Sequence, residues 1–292
     1  MGPPLNLAFL RGFDSASHYH PGVIPAPSPR RAGYATSLDG SRIAWKRYGE
    51  GEPAILVIPT WNLVDSRVVG HQVAALEPHA TVVTYDARGV GASDRPERGY
   101  DFSLHAADAR AVLEATGIGQ VRVLSASRGF NAAVLLAAQQ PSAVERMAVV
   151  GPYVQFEAGV SPDPARLEKL RTDWAGFIVP FMHTVFSEPQ SDDLIEHMIA
   201  IGMEASPDVV ATQETELDWA VPASLIPTLG CPALVIHGDS DAAVPPTLAE
   251  RIVDLMPNAR LELIAGGGHR PDIRNPEVVN PILLEFLVQP GA

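Results

Sequence analysis

The stretch "VRVLSASRGFNAAVLLAAQ", residues 121–139, joins two patterns that together decide the fold. It opens with an apolar, β-branched run from Val121, which is typical of a buried strand. From Phe130 it continues as an alanine-rich run, which is typical of a buried helix. Only the small-residue cluster "SASRG", centred on Ser127, separates the two runs. The stretch therefore predicts a strand, a tight turn carrying Ser127, and a helix in immediate succession.

The same strand signature recurs along the chain on both sides of this stretch. "RIAWKRYG" alternates as a half-buried strand does, and continuous apolar runs occur at residues 54–59, 80–86, 120–126, 146–151, 232–238 and 260–266. Helical patterns lie between them, at residues 68–76, 104–116, 130–140, 246–256 and 276–288. Short buried strands that alternate with helices predict an α/β fold, with a doubly wound and mostly parallel sheet.

One long segment, residues 152–226, breaks this alternation. It has no clear strand signal, and its aromatic and methionine residues recur at helical spacing. Ligands of open α/β sheets bind outside the carboxyl ends of the strands, so an insertion there is expected to form a helical lid over the site. We therefore divide the chain into an extended, Pro-, Gly- and Ser-rich arm (1–32), two parts of the core (33–151 and 227–292) and the lid.

Composition limits the partners. Among 292 residues, 46% are hydrophobic and 19% charged, and 21 basic against 34 acidic residues give a net charge of −13. This acidic balance argues against nucleic acid and anionic membranes as partners, and no apolar stretch approaches the ~20 residues that span a bilayer. The single Cys231 excludes an internal disulfide. We expect a cytoplasmic protein that acts on a small molecule without a metal or cofactor; homo-oligomerisation stays open.

Two interpretations of Ser127 are open at this point. It is either the N-cap of the following helix or the nucleophile of a G-x-S-x-G elbow in which Ser125 replaces the first glycine. A serine nucleophile needs a histidine to take its proton. Among nine histidines, His269 in "IAGGGHRP" is the best candidate, because it follows the last predicted strand on a glycine-rich loop. His237 ends an apolar strand and is expected to be packed and hydrogen-bonded.

The acid that would orient this histidine is expected in "HGDSDAAVPP", after the penultimate strand. Asp241 lies 28 residues before His269 (269 − 241), which leaves room for one helix and one strand. Both side chains can then reach the same edge of the sheet, whereas Asp239 is expected to be a turn residue. The order serine, aspartate, histidine is that of one class of serine triads among several.

Three longer motifs carry a family resemblance: "YDARGVGASDRP" (85–96), "CPALVIHGDSDAAVP" (231–245) and "GGGHRPDIRNPEVVNPILLEFL" (266–287). With them, most of the chain outside residues 1–32 and the lid resembles the α/β-hydrolase superfamily, in its lidded esterase/haloperoxidase-like branch. It is also similar to the hydrolase modules found beside bacterial nucleotide-cyclase domains. The resemblance implies an eight-stranded-type sheet with the lid after the sixth strand. It also implies hydrolysis of an ester, lactone, amide or related acyl bond without a cofactor.

The chain departs from the family's pattern after the third strand. The family usually has His-Gly there, and this chain has Pro59-Thr60-Trp61-Asn62. The resemblance implies an oxyanion hole formed by the backbone N–H groups of Trp61 and Arg128. Either Arg128 attracts an anionic substrate group, or it pairs with a carboxylate such as Glu157. The residues predicted to line the substrate pocket are Thr60, Asn62, Tyr153, Trp174, Phe177 and Phe181.

Two function hypotheses follow. In the first, Ser127 attacks a carbonyl, His269 takes its proton, Asp241 orients the imidazole, and an acyl-enzyme of a small to medium hydrophobic substrate forms. In the second, the altered loop leaves a scaffold with little hydrolysis. Such a scaffold would act as a carbon–carbon bond hydrolase, a perhydrolase or a small-molecule binding or cyclisation protein.

Overall fold

A computed structural model of the chain describes residues 25–157 and 162–289, so most of the predicted arm lies outside the described residues. Eight strands form one sheet in the order β1-β2-β4-β3-β5-β6-β7-β8. The strands are β1 (Arg31–Thr36), β2 (Arg42–Tyr48), β3 (Ala54–Ile58), β4 (Thr81–Tyr85), β5 (Val121–Ala126), β6 (Val144–Val150), β7 (Ala233–Gly238) and β8 (Ala259–Ile264). The predicted α/β class is confirmed.

The direction of the strands places the site. β2 runs antiparallel to both β1 and β4, and the remaining pairs, from β4 to β8, are all parallel. The parallel strands therefore end at one common edge. Every residue of β3, β4 and β7 is buried, as expected for strands that are covered on both faces.

Helices cover both faces of the sheet. They are α1 (Gly70–Leu76), α2 (Phe102–Thr116), α3 (Gly129–Gln139), α9 (Pro246–Leu255), α10 (Pro271–Arg274) and α11 (Pro276–Leu287). Buried side chains of α2, α3 and α9, such as Phe130, pack on one face with Leu56 of β3. Those of α1 and α11, such as Leu283, pack on the other face with Ile55. Adjacent residues of one strand thus serve opposite halves of a doubly wound core.

The first strand is a correction to the sequence analysis, which assigned Arg31 and Ala32 to the arm and no strand to residues 31–36. β1 begins at Arg31 and pairs with β2 over its whole length. Its side chains are mostly exposed, because it is an edge strand. Backbone hydrogen bonds rather than apolar burial define such a strand, so its hydrophobic pattern is weak.

The lid follows the sixth strand, as expected. Between β6 and β7, the described residues contain α4 (Pro164–Thr172), α5 (Trp174–Val185), α6 (Asp192–Gly202), α7 (Pro207–Glu216) and α8 (Ala220–Leu225), and no strand. The apolar faces of α4 to α7 share one cluster with Trp61, Leu63 and Val64, just beyond the carboxyl end of β3, whereas α8 packs against the core of the sheet. No helix among residues 25–157 and 162–289 is long and apolar enough to cross a membrane.

Candidate active site

Ser127 occupies a sharp turn at the carboxyl edge of the sheet, between the end of β5 and the start of α3. Its φ of 48° lies in the left-handed region, which is strained for a residue other than glycine. Its backbone N–H donates a 2.9 Å hydrogen bond to the Val150 carbonyl at the end of β6. The N-cap of α3 is Arg128, and no side chain caps this helix. The geometry therefore favours an exposed nucleophile over a helix cap.

Gly129 allows this turn to lie close to the neighbouring strand. A Cβ atom at position 129 would come within 2.4 Å of the carbonyl oxygen of Pro59, which follows β3. Only glycine can therefore start α3 at this distance from the loop that carries Trp61. The glycine of "SASRG" is therefore required by this close approach of two main chains.

The structure brings Ser127, His269 and Asp241 into one hydrogen-bonded chain. His269 Nε2 lies 2.9 Å from Ser127 Oγ, and His269 Nδ1 lies 2.8 Å from Asp241 Oδ2. His269 follows β8 and Asp241 follows β7, so both side chains reach the edge where β5 ends. Since Nδ1 faces a carboxylate, it carries the ring proton, and Nε2 is free to accept the proton of Ser127.

Asp241 is held as a carboxylate by four hydrogen bonds. Oδ1 accepts from the backbone N–H groups of Ala243 and Val244, both at 2.8 Å. Oδ2 accepts from His269 and, at 3.1 Å, from Nε2 of His237. Burial alone would raise the pKa of Asp241, but the hydrogen bonds from the two imidazoles outweigh it and hold the pKa well below its ordinary value.

His237 is fully buried, as the sequence analysis expected, and contacts the acid directly. Its Nε2 faces two acceptors, Asp241 Oδ2 and the Val244 carbonyl at 3.0 Å, so Nε2 carries the proton. Its Nδ1 has no partner among the described side chains and backbone. A role beside the acid could not be recognised from the sequence, because "VIHGDSD" fits any buried strand that ends in a turn.

The residues implied for the oxyanion hole lie on the two loops that meet at Gly129. Within residues 25–157 and 162–289, neither the N–H of Trp61 nor that of Arg128 donates a hydrogen bond to the protein. The Trp61 carbonyl accepts hydrogen bonds from Leu63 N–H at 2.7 Å and Val64 N–H at 3.3 Å, which fix the turn that follows Trp61. Two unpaired N–H groups beside a serine can receive a developing negative charge on oxygen.

Asn62 does not reach the substrate cavity, in contrast to the prediction. Its side chain is 1% exposed, and both ends of its amide are engaged. Nδ2 donates to the Arg88 carbonyl, and Oδ1 accepts from Gln213 Nε2 of the lid helix α7 at 2.8 Å. The side chain anchors the loop, and because it is buried it does not present its amide to the cavity.

Arg128 is paired, but with a different carboxylate from the one expected. Its guanidinium forms an ion pair with Glu214 of α7 rather than with Glu157. It also stacks over the ring of Trp61 at 3.9 Å and faces Trp219 and Tyr153 at 5.2 and 5.8 Å. Tyr153 thus packs around Arg128 and lies outside the substrate cavity, which corrects the prediction for that residue.

An apolar cavity that opens to solvent lies directly above Ser127 and His269. Thr60, Trp61 and Phe181 line it, while Trp174 and Phe177 stack behind Phe181 and do not. The lining residues that sequence reasoning missed are Leu63, Val64, Met182, Val185, Phe186, Met198 and Arg270. Helical spacing showed that α5 and α6 are amphipathic, but it could not show which apolar side chains face the cavity.

The part of the chain that the structure describes contains no cluster of three or more His, Cys, Asp or Glu side chains placed to hold a metal ion. The polar groups at and beneath the cavity floor are a serine hydroxyl, an imidazole, a carboxylate and two backbone N–H donors. This set is suited to acyl transfer.

Comparison with known proteins agrees with this geometry. A family model described as alpha/beta hydrolase fold matches residues 53–181, which contain Trp61, Ser127 and Arg128. These matches support the α/β-hydrolase superfamily for this chain, in its esterase/haloperoxidase-like branch, and they support a hydrolase.

Three similar proteins illustrate this branch. The chain is 29% identical over 279 residues to a non-heme chloroperoxidase of Streptomyces lividans, covering 87% of this chain and 99% of the relative. It is 25% identical over 258 residues to the serine hydrolase BPHL of Mus musculus, covering 86% and 84%. The crystal structure of the esterase RhEst1 from Rhodococcus sp. ECU1013 superposes with a TM-score of 0.79 at 23% identity, covering 89% and 99%, which shows the shared fold.

Proposed function

We propose that the protein is a serine hydrolase that cleaves an ester, lactone or related acyl bond of a small to medium hydrophobic substrate. The observation that carries the proposal is the hydrogen-bonded chain Ser127–His269–Asp241 on the floor of an apolar cavity. In the tautomer that donates Nδ1–H to Asp241, His269 leaves Nε2 to accept the proton of the serine hydroxyl, which is the arrangement that acyl transfer needs.

The acylation step follows from these positions. Ser127 Oγ attacks the substrate carbonyl carbon while His269 Nε2 takes the hydroxyl proton, and Asp241 stabilises the resulting imidazolium. The carbonyl oxygen becomes an oxyanion that the N–H groups of Trp61 and Arg128 receive. His269 then gives its proton to the leaving alcohol oxygen as the tetrahedral intermediate collapses to the acyl-enzyme.

Deacylation repeats the sequence with water in place of the serine. His269 removes a proton from water as the oxygen attacks the acyl carbon, and the same two N–H groups receive the oxyanion. The proton returns to Ser127 Oγ when the acid leaves. The apolar walls of the cavity, from α5 and α6 of the lid, favour a hydrocarbon acyl or alcohol group.

Perhydrolysis is a second candidate, and the similarity to a non-heme chloroperoxidase favours it. The same acyl-enzyme would be attacked by hydrogen peroxide instead of water, releasing a peracid and regenerating Ser127. Both reactions need the same three side chains, so they differ only in which nucleophile reaches the acyl carbon.

A panel of p-nitrophenyl esters of increasing chain length, together with lactones, tests the proposal. We expect wild-type hydrolysis of at least one ester, with Ser127→Ala and His269→Ala each lowering kcat by about 10⁴-fold or more. Matched controls are Ser224→Ala and His183→Ala, at exposed lid positions, which should retain wild-type rates. Hydrolysis that survives Ser127→Ala would contradict the proposal, and adding peroxide to the same assay measures the perhydrolase alternative.

A further inference from the structure

The lid contacts the loops that carry Trp61, Arg128 and His269. Phe181 and Phe177 of α5 pack edge-on against Trp61, with ring centroids 5.1 and 6.2 Å apart. Glu188, between α5 and α6, accepts a 2.7 Å hydrogen bond from the N–H of Gly268, next to His269. A lid that only covered a finished site would not need polar contacts with its catalytic loops.

The strongest of these contacts is the ion pair between Glu214 of α7 and Arg128. Both side chains are about nine-tenths buried, with 9% and 10% of their surfaces exposed. The only other cation near Glu214 among the described residues is Arg166, whose Nε lies 3.8 Å from Oε2. A buried ion pair is sensitive to the loss of one partner, because the remaining charge is left without compensation.

The same guanidinium joins the two oxyanion residues to each other. Arg128 carries one of the two N–H donors, and its side chain lies 3.9 Å over the ring of Trp61, which carries the other. Cation–π attraction holds such a pair together. Glu214 thus fixes Arg128 through its charge, and Arg128 fixes Trp61 through its stacked face.

The residue beside Glu214 strengthens this link. Gln213 donates a 2.8 Å hydrogen bond to Asn62, the next residue after Trp61. Two successive side chains of α7 therefore reach both loops of the oxyanion hole. The loop at residues 59–62 lies outside the strands, and these side-chain contacts add to the hydrogen bonds that the Trp61 carbonyl accepts from the N–H groups of Leu63 and Val64.

We propose that Glu214 is a positioning residue for the oxyanion hole, acting through Arg128 and Trp61, so that the hole is complete only when α7 of the lid is in place. The proposal rests on the proposed serine hydrolase function. Glu214 does not line the cavity above Ser127, so its role is in the transition state rather than in substrate binding.

Glu214→Gln tests the proposal, because it keeps the size of the side chain and removes its charge. We expect kcat to fall about 10-fold and KM to change less than 2-fold; the loss should be smaller than the 10²–10³-fold that follows complete removal of one oxyanion donor. Asp208→Asn, on the exposed side of the same helix, is the matched control and should keep wild-type kcat.

A trifluoromethyl ketone provides a readout that a purely structural role would not change. Ser127 Oγ adds to its carbonyl carbon, His269 takes the serine proton, and the carbonyl oxygen becomes an oxyanion at the two N–H groups. Affinity for this adduct should fall in Glu214→Gln by the same factor as kcat, while affinity for a neutral, non-adduct alcohol analogue stays unchanged.

A second variant covers the case in which Glu214→Gln does not fold. The double variant Arg128→Met/Glu214→Leu removes both charges of the buried pair, so that neither partner is left alone, and it keeps the N–H of residue 128; Arg166, the other cation near Glu214, is 39% exposed and can be solvated. It should show the same loss of kcat with little change in KM. Thermal melting establishes that each variant is folded.

The outcomes separate the two proposals. Wild-type kcat in either folded variant, or a change confined to KM, would overturn the positioning role alone. A wild-type protein that neither hydrolyses any ester nor binds the trifluoromethyl ketone would overturn the proposed function and this proposal with it.

Discussion

The two loops that meet beside Ser127 are held in place by different means. The nucleophile turn is fixed by main chain: Ser127 N–H bonds to the Val150 carbonyl at 2.9 Å, and Gly129 packs against the Pro59 carbonyl. The oxyanion loop is fixed by side chains of the lid, with Gln213 on Asn62 and the Glu214–Arg128 pair against Trp61.

This difference indicates how the site divides its tasks. In the proposed function, the sheet body alone supplies the nucleophile, the base and the acid, because each follows the carboxyl end of a strand. The proposed oxyanion hole also needs the N–H of Trp61, whose loop is contacted by Gln213 of α7, 151 residues away in sequence from Asn62. We therefore expect that a substitution can impair oxyanion stabilisation and leave proton transfer intact, or the reverse.

The largest effect is expected from Gly129→Ala, which disturbs the main-chain packing that fixes the nucleophile turn. Its Cβ would lie 2.4 Å from the Pro59 carbonyl oxygen, so the turn and the loop must move apart. We expect kcat to fall about 10²-fold, since a displacement near 1 Å is enough for such a loss, and the Tm to fall as well. Gly119→Ala, where a Cβ meets no atom within 4 Å, is the control. Unchanged kcat in Gly129→Ala would show that the close approach is not needed.

Acid should weaken the contacts between the lid and the oxyanion loop first, because His105 becomes protonated there. His105 Nε2 lies 3.3 Å from Gln213 Nε2, the group that holds Asn62. Loss of solvent around the imidazole lowers the pKa of His105 from 6.5 to about 4, although Asp108 opposes this shift. The unfolded chain therefore binds a proton more readily between these two pH values. Stability that is fully present above pH 6.5 is lost as the pH falls to 4, by up to about 3 kcal/mol.

Urea unfolding of wild type and His105→Gln at pH 7.5 and 4.5 measures this effect. The glutamine carbonyl can still accept from Gln213 but does not titrate, so the variant should lose less stability over this interval. Equal losses in the two proteins would show that another group causes the acid sensitivity.

The smallest effect is expected from Phe181→Ala, which changes the cavity and leaves the Gln213–Asn62 and Glu214–Arg128 contacts in place. Phe181 lines the cavity above Ser127, and its removal makes room for a longer hydrocarbon chain. The ratio of kcat/KM for octanoyl over butanoyl esters should rise about 10-fold, in the range for a few methylene groups in an apolar pocket. Val179→Ala, an exposed position on the same helix, should leave the ratio unchanged. A fall in kcat for all esters alike would instead assign Phe181 to support of Trp61.

The contrast between the two loops also explains what could be predicted from the sequence. Strand, turn and helix around Ser127 are local patterns, and Asp241 and His269 each follow a strand of their own. Parallel strands end at one edge, so their order alone brings the three side chains together. β1 escaped prediction because an exposed edge strand needs little apolar periodicity.

The oxyanion loop and the cavity could not be predicted, because their contacts are distant in sequence. In the sequence, Asn62 offers an amide that could bind a substrate. Only the fold shows that this amide is hydrogen-bonded to the Arg88 carbonyl and to Gln213. Glu157 lies nearer in sequence to Arg128 than Glu214 does, yet α7 places Glu214 against the guanidinium. Which side chains pair with Asn62 and Arg128 depends on how the lid helices pack on the sheet body, and no local sequence pattern predicts that packing.

Covalent labelling with a fluorophosphonate, read by intact-protein and peptide mass, tests the central claim most directly. The reagent forms a bond from Ser127 Oγ to phosphorus and releases fluoride, so it reports an activated serine without requiring the true substrate. We predict one adduct per chain on the peptide that contains Ser127, and none in Ser127→Ala. We also expect a labelling rate at least 100-fold lower in His269→Ala, which lacks the general base. An unlabelled wild type at concentrations that mark a control esterase, or a label on another residue, would contradict the account.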